Sequence, residues 1–279
     1  MKENEFVFKA KDSLVSNESF SIHWDEKKQI AFTKIDPSIN LEDYYKSAEY
    51  ASHKTKYTSI ADYFYHWAQK SMLTYKLKII LKYSAVKSVL DIGAGVGNFA
   101  QFLKNKGYKV SVVEQNEAAH NSCAEKGLTS FKSTNNIVNT DRFDTLTLWH
   151  VLEHLPNLEE AFKQFNKLLV SNGTLFVAVP NWKSNDALYY KENWAGLDVP
   201  RHLWHFSTSG LVQLAKAHGF TPVACHPLWF DALYISYLSE KQMGKSGALL
   251  RGISKGIFFT FKAFFNKEYS SLIHVFKKG

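Results

Sequence analysis

A short apolar run, Val89-Leu90 and Ile92 around Asp91, leads straight into Gly93, Gly95 and Gly97 at alternate positions. A continuous apolar run of this kind is the mark of a strand buried on both faces of a parallel sheet. The three glycines remove every side chain where the backbone must turn sharply and approach a ligand. A predicted helix begins at once behind them, and its first turn presents unpaired N–H groups. Strand, glycine turn and helix together demand an α/β fold with a ligand at the strand end.

The spacing is G-x-G-x-G, not the G-x-G-x-x-G of dinucleotide binders, and an acid precedes it. Asp91 would repel a pyrophosphate and suits a ligand with an amine or a cationic centre. About 20 residues on, Glu114 closes a second apolar strand, where an acid can accept hydrogen bonds from both hydroxyls of a ribose. Strands are expected at 88–92, 109–113, 129–132, 143–149 and 173–179, and helices near 97–106, 116–126, 157–169 and 207–218. Such alternation implies a parallel sheet with helices on both faces. Ligands then lie beyond the carboxyl ends of the strands, which places Gly93, Glu114, Trp149-His150 and Pro180-Asn181 on one rim.

Four segments in this order, VLDIGAGVGNF, the strand ending in Glu114, FDTLTLWHVLEHLPN from Phe143 and NGTLFVAVPN from Asn172, resemble the class I S-adenosylmethionine-dependent methyltransferases. DVPRHLWHFS from Asp198 is similar to the bacterial branch that includes ubiquinone-biosynthesis O-methyltransferases. The likeness covers about residues 85–230. It implies a Rossmann-like, mostly parallel seven-stranded sheet with S-adenosylmethionine as cofactor. Asp91, Gly93, Gly95, Gly97, Glu114, Gln115, Asn135, Trp149 and His150 are the expected cofactor-binding residues. The acceptor is expected to be a small molecule, methylated at oxygen.

An oxygen acceptor needs a base, and imidazole suits that role near neutral pH. His154 and His205 are the first candidates, followed by His150 and His202. In the ubiquinone-type relatives the acidic loop at this place is associated with a divalent cation. Glu153 and His154 match it, but His150 stands where those relatives have an acid, so no metal is expected. A cysteine-bearing zinc segment often occupies the N-terminal region of similar sequences. Only Cys123 and Cys225 occur in this chain, which argues against zinc there and against a disulfide framework.

Residues 1–84 form an expected extension: a hairpin from the alternation of Phe20, Ile22, Trp24, Ile30 and Phe32, then helices over 41–53 and 58–83. Tyr44, Tyr45, Tyr57 and Tyr63 are candidates to cover the cofactor mouth. The methyltransferase domain is expected over 85–279, with 231–267 a helical insertion or lid before a final antiparallel strand.

Hydrophobic residues make up 45% of the chain, which excludes disorder, and no apolar run is long enough to span a membrane. A cytoplasmic location follows as the expectation. The net charge is +8, yet 241–279 alone carries eight Lys or Arg against one acid. Nucleic acid is not an expected partner, because the core itself is almost neutral. Ile257, Phe258, Phe261, Phe264 and Phe265 form a helical apolar stripe, expected to pack on its own domain, with membrane or lipid contact through 241–279 as the alternative. Two rival functions are a nicotinamide-dependent oxidoreductase and a catalytically silent adenosine-binding module that uses the basic tail.

Overall fold

The computed structural model describes residues 4–45, 60–138 and 141–279. Three antiparallel strands come first, β1 (Glu5–Lys11), β2 (Ser19–Asp25) and β3 (Ile30–Lys34), then helix α1 (Ile60–Tyr83). The alternating core follows: β4 (Ser88–Ile92), α2 (Asn98–Lys104), β5 (Lys109–Val113), α3 (Glu117–Glu125), β6 (Thr129–Phe131), β7 (Phe143–Trp149), α4 (Leu158–Leu168) and β8 (Leu169–Pro180). After α5 (Asn185–Tyr190) come β9 (Trp204–Phe206), α6 (Thr208–Ala217) and β10 (Phe220–Pro227). Helices α7 (Asp231–Gln242) and α8 (Ala248–Asn266) precede the closing β11 (Ser271–Lys278).

Seven strands make the main sheet in the order β10-β11-β8-β7-β4-β5-β6. β4 is parallel to both β5 and β7, and β11 is antiparallel to β8 and β10. Alternate residues feed opposite faces: Leu90, Leu146 and Val177 pack with Phe162, Phe165 and Leu211, whereas Val89, Val112 and Phe176 pack with Ile80, Phe99 and Leu103. Helix α4 illustrates the rule. Leu158, Phe162, Phe165 and Leu168 recur at helical spacing and are buried, and Asn157 caps the helix by accepting from Glu160 N at 3.1 Å. The connection from β4 leads to β5 and that from the adjacent β7 leads to β8 on the opposite side, which opens a crevice at the carboxyl ends of β4 and β7.

A second sheet has the order β1-β2-β3-β9. The expected hairpin is β2-β3, with Phe20 and Ile22 buried. Its fourth strand is recruited from far along the chain: Ile30, Ala31 and Phe32 pair with Phe206, His205 and Trp204. Helix α1 meanwhile packs Leu77, Ile79 and Ile80 into the main core. The division at 84/85 therefore coincides with no break in packing. Of the helix expected over 41–53, Leu41–Tyr45 form a 3-10 turn, and 46–53 lie outside the described residues, as do Tyr57 and the side chains of Tyr63 and Trp67.

Between β10 and β11 the chain makes a helical hairpin, as expected of 231–267, but its inner face differs from expectation. Gly252, Gly256, Phe259 and Ala263 face inward, and the stripe from Ile257 to Phe265 points outward. A Cβ at Gly252 would lie 2.3 Å from Tyr237 Cα, and one at Gly256 2.6 Å from Leu233 Cα. The two helices approach too closely for side chains at the contact, so the small residues must face in.

Gly210 in α6 meets the small sheet with the same intimacy, since a Cβ there would fall 2.3 Å from Gln29 O. Gly210→Ala is expected to destabilise the protein by about 1–3 kcal/mol, read as a lower urea midpoint.

Candidate active site

The turn after β4 has φ of +68°, +55° and +77° at Gly93, Gly95 and Gly97. At Gly93 a Cβ would lie 2.4 Å from Val151 Cγ2, and at Gly97 2.9 Å from Cys123 Sγ; at Gly95 it would meet none of the described residues within 4 Å. The outer glycines permit packing, while the middle one leaves open space beyond the strand end. Glu114, just past β5, fixes the loop by accepting from Gly95 N and from Asn116 N, each at 2.8 Å. Gln115 is exposed beside it. Asn135 is exposed in the turn Thr134–Asn136 after β6, its N–H donated to Ser133 Oγ.

Asp91 is 1% exposed and accepts from Thr147 Oγ1 at 2.6 Å. Burial raises its carboxyl to about 6, against the opposing pull of Thr147 and Lys76. Lys76, on α1, places its ammonium 4.2 Å from the centre of the Trp149 ring and 5.6 Å from that of Phe99. Burial lowers that ammonium to about 8, with Asp91 and Asp231 opposing. Trp149 stands edge-to-face on Phe99, and its Nε1 is buried without a hydrogen-bond partner among the described residues. An aromatic face, a buried acid and a resident ammonium define a corner built for positive charge. With the open space at Gly95 and Glu114 beyond it, these residues fit a ligand that joins a cationic amino-acid end to a ribose.

His150 follows β7 with φ +56°, unusual for a residue other than glycine. Its Nε2 lies 3.2 Å from Asp231 Oδ2 and its Nδ1 3.4 Å from Glu153 Oε1. Burial would lower this imidazole, but the two carboxylates prevail and push it up to about 10. It is a cation at neutral pH and a poor base.

Beyond it, Glu153 is 1% exposed, with neither oxygen in hydrogen-bond geometry among the described residues, and His202 Nε2 lies 4.0 Å from its Oε1. His154 stacks edge-on against His202 at 4.6 Å between ring centres. Both imidazoles have Nδ1 within 3.0 Å of a backbone carbonyl, Arg201 O for His154 and Gly196 O for His202. A carbonyl only accepts, so each Nδ1 carries a proton. Burial, aided by His202, lowers His154 to about 4. Ligand atoms of Glu153, His154 and His202 lie within 4.8 Å of one another, a set that could hold a cation.

Arg201 holds this side together. It is 1% exposed, and its guanidinium reaches Asp198 Oδ1 at 2.6 Å, Asp12 Oδ1 at 3.1 Å and Tyr44 O at 3.3 Å. Tyr45 then lies over the cluster, its hydroxyl 3.1 Å from His154 Nδ1. Tyr44 instead packs on Phe20 and donates to Glu18.

Asp91, Gly93, Gly95, Glu114, Trp149 and His150 thus share one rim, with His154 and His202 adjoining His150 through Glu153. Gly97 sits buried behind, as the N-cap of α2. His205 is elsewhere: it is 3% exposed in the small sheet, its Nε2 2.9 Å from Thr33 Oγ1, and burial lowers it to about 3. The aromatic residues after β8 also serve structure. Trp194 donates to Asp186, Tyr190 to Glu240, and Trp182 stacks on Phe8. Lys76 and Asp231 were missed by sequence reasoning. A lysine among several on a helix, and an acid opening a distant one, carry no local signal of a shared site.

The family model described as a methyltransferase domain matches residues 64–225. A ubiquinone biosynthesis O-methyltransferase of Glaesserella parasuis serovar 5 is 29% identical over 108 residues, 34% of this chain and 46% of that protein. The chain thus spans about half the length of that curated relative. Among solved structures, magnesium protoporphyrin IX methyltransferase from Synechocystis PCC 6803 with bound SAH aligns with TM-score 0.55 at 14% identity, covering 86% of this chain and 98% of that one. A SAM-dependent methyltransferase from Archaeoglobus fulgidus aligns with TM-score 0.52 at 18% identity, covering 77% and 100%. The glycine loop, the acid at the end of β5, the seven-stranded sheet and the matched model agree: the chain belongs to the class I S-adenosylmethionine-dependent methyltransferases.

Proposed function

We propose that this protein transfers a methyl group from S-adenosylmethionine to an oxygen of a small-molecule acceptor. The observation that carries the oxygen acceptor is the neutral His154 imidazole, its Nδ1 tied to Arg201 O and its ring beside His202 and the buried Glu153. The printed name of the curated relative, an O-methyltransferase, supports the same acceptor atom.

Bound S-adenosylmethionine supplies an electrophilic methyl on a sulfonium. Asp91 holds the amino end, Glu114 the ribose, and Gly95 leaves the backbone open for close approach. Gln115 and Asn135 border the adenine, and Trp149 flanks the methionine portion. Most of the acceleration is expected from holding acceptor and donor in line. His154 Nε2 takes the hydroxyl proton, and Glu153 stabilises the resulting imidazolium through the His154–His202 pair. His150, held protonated by Asp231 and Glu153, positions Glu153 and does not act as base. No metal is required on this reading.

Titration calorimetry with S-adenosylmethionine, its demethylated product and NADH tests the cofactor assignment. The first two are expected to bind; NADH binding alone would return the oxidoreductase reading. Because Asp91 is charged only above about pH 6, affinity for S-adenosylmethionine is expected to fall as pH drops through 6, by up to about tenfold per pH unit. Asp91→Asn should bind at least about tenfold more weakly and lose that dependence.

His154→Ala is expected to slow turnover by about 10²–10⁴-fold and leave cofactor affinity within about twofold. Unchanged turnover in both His154→Ala and His202→Ala would remove the pair from the reaction, and cofactor binding without turnover on hydroxylated acceptors would favour the silent module. Chelator-treated protein should retain its rate. Loss of rate restored by a divalent cation would instead assign Glu153, His154 and His202 as its ligands.

A further inference from the structure

Helix α8 is packed inside out. Its inward face is Gly252, Gly256, Phe259 and Ala263, and its outward face exposes Leu250 (74%), Ile257 (59%), Phe258 (59%), Phe261 (64%), Phe264 (58%) and Phe265 (70%). At 100° per residue these side chains share one half of the helix with only Ser254 among them. They cover about 22 Å of its length. Leu188 and Tyr189 on α5, both more than half exposed, add apolar surface nearby, and Tyr189 meets Phe259 on the inward side of α8. Exposed apolar surface of this extent marks an interaction site.

We propose that this face inserts into the surface of an anionic lipid bilayer, with α8 lying in the plane of the membrane. Charge selects this occupant. Arg251, Lys255 and Lys262 line one edge of the apolar face, and Glu240, the acid beside them, is one carboxylate for two of these cations, with Arg251 Nε at 2.9 Å and Lys255 Nζ at 2.6 Å. The hairpin residues 241–267 carry six Lys or Arg and no acid. Two copies joined through this face would bring those charges together, whereas anionic headgroups neutralise them. No helix among the described residues is long and apolar enough to cross a membrane, so α8 lies on the surface instead of spanning. The close contact of Gly252 and Gly256 with α7 backbone leaves the bulky residues no way inward. The inference is independent of the methyl-transfer reaction.

The test is cosedimentation of the full chain with large vesicles of phosphatidylcholine alone or with 30% phosphatidylglycerol, at about 0.1 M and 0.5 M salt. Binding is expected to the anionic vesicles, weakened at high salt. Phe261→Ser/Phe265→Ser is expected to weaken binding at least about tenfold, since each loses a buried aromatic anchor. Lys262→Glu should weaken it at low salt only. Both changes lie on the surface, and an unchanged melting temperature verifies the fold. Absence of binding to anionic vesicles would overturn the proposal. So would a dimer on analytical ultracentrifugation that Phe261→Ser/Phe265→Ser dissociates, which would assign the face to a second copy.

Discussion

A fully buried guanidinium sets the position of the segments that surround His154. Arg201, steadied by Asp198 three residues before it, draws on Asp12 from the β1–β2 loop and Tyr44 O from the turn beyond β3, and so ties two N-terminal segments to the loop before β9. Removing one partner of such a buried pair leaves an uncompensated charge, at a cost of about 3–5 kcal/mol. The geometry therefore admits one arrangement. The Arg201 carbonyl in turn receives His154 Nδ1 and the Tyr45 hydroxyl, so the clamp that holds the sheet also sets the imidazole.

From the glycine loop outward, charges alternate. Asp91, Lys76, Asp231, His150 and Glu153 form a chain in which each member faces opposite sign on either side. Burial makes each dependent on its neighbours. Asp91 is raised because its surroundings solvate it poorly, whereas Glu153 and Asp231 resist the same burial because a cationic imidazole lies between them. The acids of one site are thus pushed in opposite directions by their partners, Asp91 up and Glu153 and Asp231 down.

The parts legible in the sequence are those with a period or a sharp local requirement. β4, β5 and β7 fall at their expected bounds, because strands buried on both faces are dense in apolar residues and their few polar ones, such as Asp91 and Thr147, pair with each other. The glycine turn and Glu114 were legible because positive φ and close approach admit few residue types. His205 was not, since an imidazole in a histidine-rich loop reads alike whether it faces a crevice or pairs with Ala31 inside a sheet. The apolar stripe of α8 was visible, but its direction was decided by two glycines whose role appears only when α7 is laid against them. Short strands such as β9 have too few residues for a period, and their partner is set by tertiary contact.

The small sheet also has a history in time. Thr33 and His205, which meet across β3 and β9, are 172 residues apart in the chain. At ribosomal rates of about 5–20 residues per second, β3 is made roughly 10–35 seconds before the strand that completes its sheet. Through that interval its outer edge has no native partner, and an unpaired edge is a template for pairing with another chain. Nascent molecules on one message would carry that edge at the same moment. Occupation of the edge by a chaperone, or its concealment by the charged turn Asp25–Lys28, then bears on the yield of folded protein as directly as any contact in the finished core.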